Sequence, residues 1–131
     1  MLSKTSLQTL KALAELAKLP EGTWEGAASI AERINAPQNY LGKVLQKLSR
    51  EGLVVSQKGM GGGFRLSKDP KKISLFDIVD PIENVSRWDG CFLGQKKCSN
   101  ASPCLVHYEW QGIRESYLKF LKITTIADLG K

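Results

Sequence analysis

Residues 27–67 read AASIAERINAPQNYLGKVLQKLSREGLVVSQKGMGGGFRLS, and this stretch decides the fold. Ala27, Ile30, Ala31 and Ile34 recur at helical spacing, which predicts a short amphipathic helix. Asn35-Ala36-Pro37 breaks it, because a proline disfavours helical geometry in the residue before it. A second helix is expected from Gln38 or Asn39, with Leu41, Val44, Leu45 and Leu48 on its apolar face and Gly52 as its stop. Leu53 to Ser56 then reads as a strand, Gln57 to Gly63 as a glycine-rich turn, and Phe64 to Ser67 as the returning strand. Two helices joined by a tight turn and followed at once by a hairpin make a winged helix-turn-helix.

Upstream, Leu7, Leu10, Ala14 and Ala17, widened by Leu13, predict a core helix over Ser3 to Leu19, ended by Pro20 and Gly22. Downstream, Asp69-Pro70 closes the hairpin unit, and a short helix is expected from Leu75 to Val79, capped by Ser74. Asp80 to Pro103 lacks periodicity and reads as a long irregular loop, a feature compact domains keep for function. A final helix is expected from about Cys104. Val106, Trp110, Ile113, Tyr117 and Phe120 follow one another at spacings of four, three, four and three, a heptad seam that points to packing against a second copy. The expected architecture is therefore mainly α with a small β-hairpin wing: a winged helix-turn-helix over residues 1–72, then a loop and a long dimerisation helix over 73–131, in one compact domain.

Hydrophobic residues make up 42% of the chain and charged residues 24%, ordinary values for a globular protein. No apolar run approaches the roughly 18–20 residues of a membrane span, and Lys4, Lys11 and Glu15 interrupt the N-terminus where a signal peptide would be continuously apolar. A cytoplasmic location is expected. The formal net charge of +6 lies wholly in residues 1–72, while residues 73–131 balance to zero. A basic half joined to a neutral half suggests a polyanionic partner for the first half alone.

That partner is read as double-stranded DNA. Gln38, Asn39, Tyr40, Lys43 and Lys47 lie on the polar side of the second helix. Glutamine and asparagine can pair with adenine, and lysine can reach guanine or phosphate. Gly59 at the hairpin tip lets backbone approach a sugar-phosphate chain, flanked by Lys58 and Arg65. A nucleotide-binding P-loop is excluded, since Phe64 and a strand follow the glycines where Gly-Lys-Ser/Thr and a helix are required.

All three cysteines lie between positions 91 and 104: six residues separate Cys91 from Cys98, five separate Cys98 from Cys104, and two more lead to His107, the only histidine. An odd number of thiols without an export signal argues against a disulfide framework. Three thiolates and an imidazole suit tetrahedral zinc or an iron–sulfur cluster. The absence of a Cys-x-x-Cys knuckle favours the cluster. Free thiols acting as redox sensors, and a zinc-stabilised interaction module, remain open. A catalytic Cys–His pair would need an orienting acid that nothing here specifies, so no enzymatic activity is expected.

Tyr40-Leu41, Leu48 to Val54, Gly61-Gly62-Gly63-Phe64 and the set Cys91/Cys98/Cys104/His107 followed by Trp110 resemble the Rrf2 family of bacterial transcription regulators, of the IscR and NsrR kind. The resemblance covers nearly the whole chain. It implies a homodimer on a partly palindromic operator, and a cluster whose state follows iron, oxygen, nitric oxide or redox poise. His107 matches the histidine ligand of the IscR branch, which leans the cluster to 2Fe–2S over 4Fe–4S. Two departures stand. The first cysteine gap is six residues where the family commonly has five. Some members also use a first-helix carboxylate as a ligand, whereas Gln8 stands in that region here and Glu15 is the first acid.

Overall fold

A computed structural model describes residues 2–85 and 106–130. Six helices and one hairpin appear among them: α1 (Lys4–Leu16), α2 (Ala27–Ile34), α3 (Gln38–Arg50), β1 (Val54–Gln57), β2 (Gly63–Leu66), α4 (Leu75–Glu83), α5 (His107–Ile123) and α6 (Ile126–Leu129), with a 3₁₀ turn at Pro70–Lys72. The expected winged helix-turn-helix is present.

The helix-turn-helix is made by two left-handed caps. Asn35 adopts φ 57°, its N–H reaches the Glu32 carbonyl, and the Ala36 N–H reaches the Ala31 carbonyl at 2.8 Å. Gly52 repeats the device after α3 at φ 81°: its N–H bonds the Ser49 carbonyl, and the Leu53 N–H bonds the Leu48 carbonyl at 3.0 Å. Both are Schellman motifs, and the second brings buried Leu53 back towards buried Leu48. Leu53 is thus spent on the cap, so each strand sits one residue off its expected start. β1 and β2 pair antiparallel, with Val54 opposite Leu66 and Gln57 opposite Gly63.

One apolar cluster joins the elements. Leu13, Ile30, Leu41, Leu45, Leu48, Ile78 and Leu121 are fully buried in it, so α5 closes over the same core that seats the helix-turn-helix. The stripe expected on α1 is rotated. Leu7 is 47% exposed, while Ser6 and Thr9 are buried beside Leu10, Leu13 and Leu16. Hydrophobicity alone missed those positions because small polar residues fill them; Thr9 Oγ1 donates to the Thr5 carbonyl at 2.7 Å.

α4 runs past the expected stop at Val79, through Pro81 to Glu83. Pro81 has no N–H to give the Asp77 carbonyl, and the helix ends soon after it, at Asn84 with φ 55°. Ser74 and Asp77 form a full capping box at its start. Its far end ties back to α1, where the Ser3 N–H donates to the Glu83 carboxylate at 3.1 Å. The described part of the last helix opens at His107, and it breaks at Thr124. There Thr125 and Asp128 build a second capping box for α6, which the sequence reading did not expect. The break lets Leu75 N–H bond the Thr124 carbonyl and Ile126 N–H bond the Ile73 carbonyl, both at 2.9 Å, which staples the C-terminal end to the start of α4. No described helix is long and apolar enough to cross a membrane.

Arg33 on α2 bridges Glu15 on α1, at 3.1 Å, and Glu25, which also accepts from Ser29 Oγ at 2.8 Å. The Arg33 hydrogen bond holds the Glu25 carboxyl below its ordinary range, opposed by partial desolvation and assisted by Ser29 and by the Arg33 charge. A depressed carboxyl stabilises the fold above its unfolded value and loses that contribution as pH falls through the folded one. Arg33→Met should therefore cost about 0.5–1 kcal/mol at pH 7, as for a solvent-screened pair. Urea titrations should show that difference shrinking as pH drops from about 5 towards 3. Asn35→Ala should cost about 1 kcal/mol in the same assay and Asn35→Gly nothing, because glycine and asparagine both accept the left-handed cap and alanine does not.

Candidate nucleic-acid interface

α3 contains no acidic residue. Its outward face carries Asn39, Lys43, Gln46 and Arg50, spaced i, i+4, i+7 and i+11, and all four are exposed. These side chains, with Gln38 and Gly42, line an open groove of about 620 Å³. Ala27 of α2 and Phe64 of β2 complete it, so the helix face and the hairpin border one concavity. Gly42 keeps that surface low: a Cβ there would stand 3.9 Å from the Ala27 methyl, with room to fit.

Of the residues singled out from sequence, Gln38, Asn39 and Lys43 lie on this groove. Tyr40 is half-buried about a quarter turn away. Lys47 is exposed on the flank towards α4, where its Nζ donates to the Pro81 carbonyl at 2.7 Å. Gln46 and Arg50 were missed. Continuing the Asn39–Lys43 spacing by one and two turns would have found them.

Lys58 and Gly59 are exposed at the hairpin tip. Arg65 is half-buried on the hairpin, its guanidinium 4.3 Å from the centre of the Trp24 ring. That cation–π contact braces the strand from outside. The segment holding Trp24 also adds a third partner to the hairpin. Phe64 N–H donates to the Glu25 carbonyl at 2.8 Å, and Glu25 N–H returns to Phe64 at 3.1 Å. Two glycines are sterically required for this. A Cβ on Gly62 would lie 2.2 Å from the Gln57 carbonyl oxygen, and one on Gly63 would lie 2.4 Å from the Glu25 carbonyl carbon.

Cys91, Cys98 and Cys104 lie outside the described residues; His107 opens α5, and its side chain is outside them too. Among the described residues, no group of three or more His, Cys, Asp or Glu side chains could hold a metal ion. The five residues of the expected seam divide on α5. Ile113 and Phe120 are exposed, at 57% and 48%, while Val106, Trp110 and Tyr117 are half-buried. Tyr117 packs on the core and stacks on Phe120 with ring centres 6.4 Å apart; burial, then the charge of Glu83, pushes its hydroxyl pKa up.

Known proteins share this arrangement. The family model for Rrf2, described as iron-dependent transcriptional regulators, matches residues 2–131. An HTH-type transcriptional regulator of Aquifex aeolicus is 39% identical over 102 residues, covering 76% of this chain and 71% of that one. IscR of Yersinia pseudotuberculosis is 31% identical over 102 residues, 78% of this chain and 62% of its own length. The solved structure of CymR, the global cysteine regulator of B. subtilis, superposes with a TM-score of 0.81 at 26% identity, over 99% of this chain and 95% of that one.

The steric demand at the hairpin gives a direct test. Gly63→Ala should break the Glu25–Phe64 pairing and lower stability by about 2–3 kcal/mol, whereas Gly61→Ala, whose Cβ meets open space, should cost about 1 kcal/mol from its positive φ alone. Urea denaturation of the two variants measures the difference.

Proposed function

This chain belongs to the Rrf2 family of transcriptional regulators, and on that footing we propose that it binds operator DNA as a homodimer under the control of an iron–sulfur cluster. The observation that carries the DNA reading is the acid-free outer face of α3, sharing one groove with Phe64 of the wing. Gln38, Asn39 and Gln46 are the candidates for base edges. Lys43, Arg50 and Lys58 are the candidates for phosphates, with Tyr40, Lys47, Gly59 and Arg65 at the margins. Operator recognition by a dimer needs two such faces about one helical turn apart on a partly palindromic site. Ile113 and Phe120, on the solvent side of α5, supply apolar surface for the second protomer.

The donor set fits the cofactor. Three thiols and one imidazole within residues 91–107 match the soft ligands of iron–sulfur chemistry, in a family described as iron-dependent. Cys91, Cys98, Cys104 and His107 would hold it, with 2Fe–2S favoured. Such a cluster supplies a centre sensitive to iron, oxygen, nitric oxide and redox state. The chain's own residues offer a route from there to DNA. The ligand segment follows α4, whose Pro81 carbonyl holds Lys47 of α3. A shift of α4, which packs into the same core as α3, would bias the dimer between two states.

The likeness to CymR favours a second reading in which the same cysteines sense thiol chemistry without a cluster. Protein purified without oxygen separates the two. The cluster reading expects visible absorbance, iron and acid-labile sulfide, and a change of tenfold or more in affinity for duplexes selected from a random pool when Cys91, Cys98 or Cys104 becomes Ala. Colourless protein whose DNA binding responds to diamide supports thiol sensing. Stoichiometric zinc with no salt-sensitive DNA binding supports an interaction module. Six phosphate contacts per dimer predict a slope of log affinity against log salt of about −5.

A further inference from the structure

The wing tip holds a feature that groove-reading by α3 does not use. Met60 is fully exposed, at 102% of its reference area, and it is the only side chain between Lys58 and Phe64, because residues 59 and 61–63 are all glycine. Gly59 and Gly61 carry φ of 96° and 80°, and the Gly62 N–H closes on the Gly59 carbonyl at 3.1 Å, so the turn holds Met60 at the outermost point of the hairpin. No neighbouring side chain can shield it.

We infer that Met60 is an apolar wedge that enters the minor groove of the bound duplex. The inference rests on the DNA-binding reading above. Three observations select this occupant. The tip is narrow, a glycine backbone bearing one unbranched side chain, and the minor groove is only about 6 Å wide. Phe64, near the turn end of β2, lines the same groove as Asn39, Lys43, Gln46 and Arg50, so a duplex seated on α3 lies alongside the wing. Exposed Lys58 adjoins the tip, a cation placed for the phosphates that wall the groove. Methionine is among the side chains that partly unstack a base step and bend DNA when they enter this groove. Such a wedge would favour flexible pyrimidine–purine steps where the wing lands, beyond the positions read by α3.

The test uses the full chain and a duplex selected from a random pool. Dilute peroxide converts the exposed thioether to the sulfoxide, adding one oxygen and releasing water, which mass spectrometry follows in free and DNA-bound protein. Protection of Met60 by tenfold or more in the complex is expected. Met60→Ala should weaken binding about three- to tenfold and reduce the bend measured by energy transfer between the duplex ends, with Met60→Leu close to the wild type. Binding retained while Met60 oxidises at the free rate, or an unchanged bend with Met60→Ala, would overturn the wedge and leave the DNA-binding reading intact. Failure of the wild-type chain to bind any selected duplex would overturn both.

Discussion

Two backbone hydrogen bonds between Glu25 and Phe64 are the constraint on which this architecture turns. They tie the segment that enters α2 to the strand that leaves the wing, so the helix pair and the hairpin cannot drift apart. Everything nearby serves that junction. Gly63 has no side chain because a Cβ would strike the Glu25 backbone. Arg33 clamps the Glu25 carboxylate and reaches α1 through Glu15. Trp24 takes Arg65 against its ring. A reading head made of one helix and one loop needs a fixed distance between them, and these contacts fix it more firmly than a two-stranded hairpin could alone.

The helix-turn-helix and the wing were legible in the sequence because their signals are local. Asn35 before Ala36-Pro37, Gly52 after Arg50, and the run from Gly59 to Gly63 each specify backbone geometry within a few residues. The groove-lining face of α3 was half legible: Gln38, Asn39 and Lys43 were picked out at the helix start, but Gln46 and Arg50 needed the helical period carried to the far end. Lys47 shared that polar side on paper. Its hydrogen bond to Pro81 depends on where α4 packs, and no pattern inside α3 encodes it.

What escaped the sequence were features with partners far along the chain. Ser6 and Thr9 took buried places on α1 that hydrophobic spacing assigned to Leu7. The Thr125–Asp128 box that starts α6 has a readable signature, but its consequence does not: the break at Thr124 exists so that the end of α5 can pair with Ile73 and Leu75. The candidate ligands differ again: Cys91, Cys98 and Cys104 fall outside the described residues, and donor chemistry and spacing alone point to them.

The division of charge follows from this construction. Residues 1–72 carry the entire excess of +6, while α4 to α6 belong to a neutral half that packs into the same core. In the proposed dimer, a neutral half would bring two basic heads together without adding to their mutual repulsion. α4 is the element common to both tasks: Glu83 holds the start of α1, Pro81 holds Lys47, and Leu75 receives the returning C-terminal end. Because interiors are close-packed and yield little, a displacement of α4 would be passed to α1 and into the core that also seats α3. The segment carrying the cysteines follows α4 in the chain, so under the proposed function α4 is the element through which cysteine chemistry would reach the shared core.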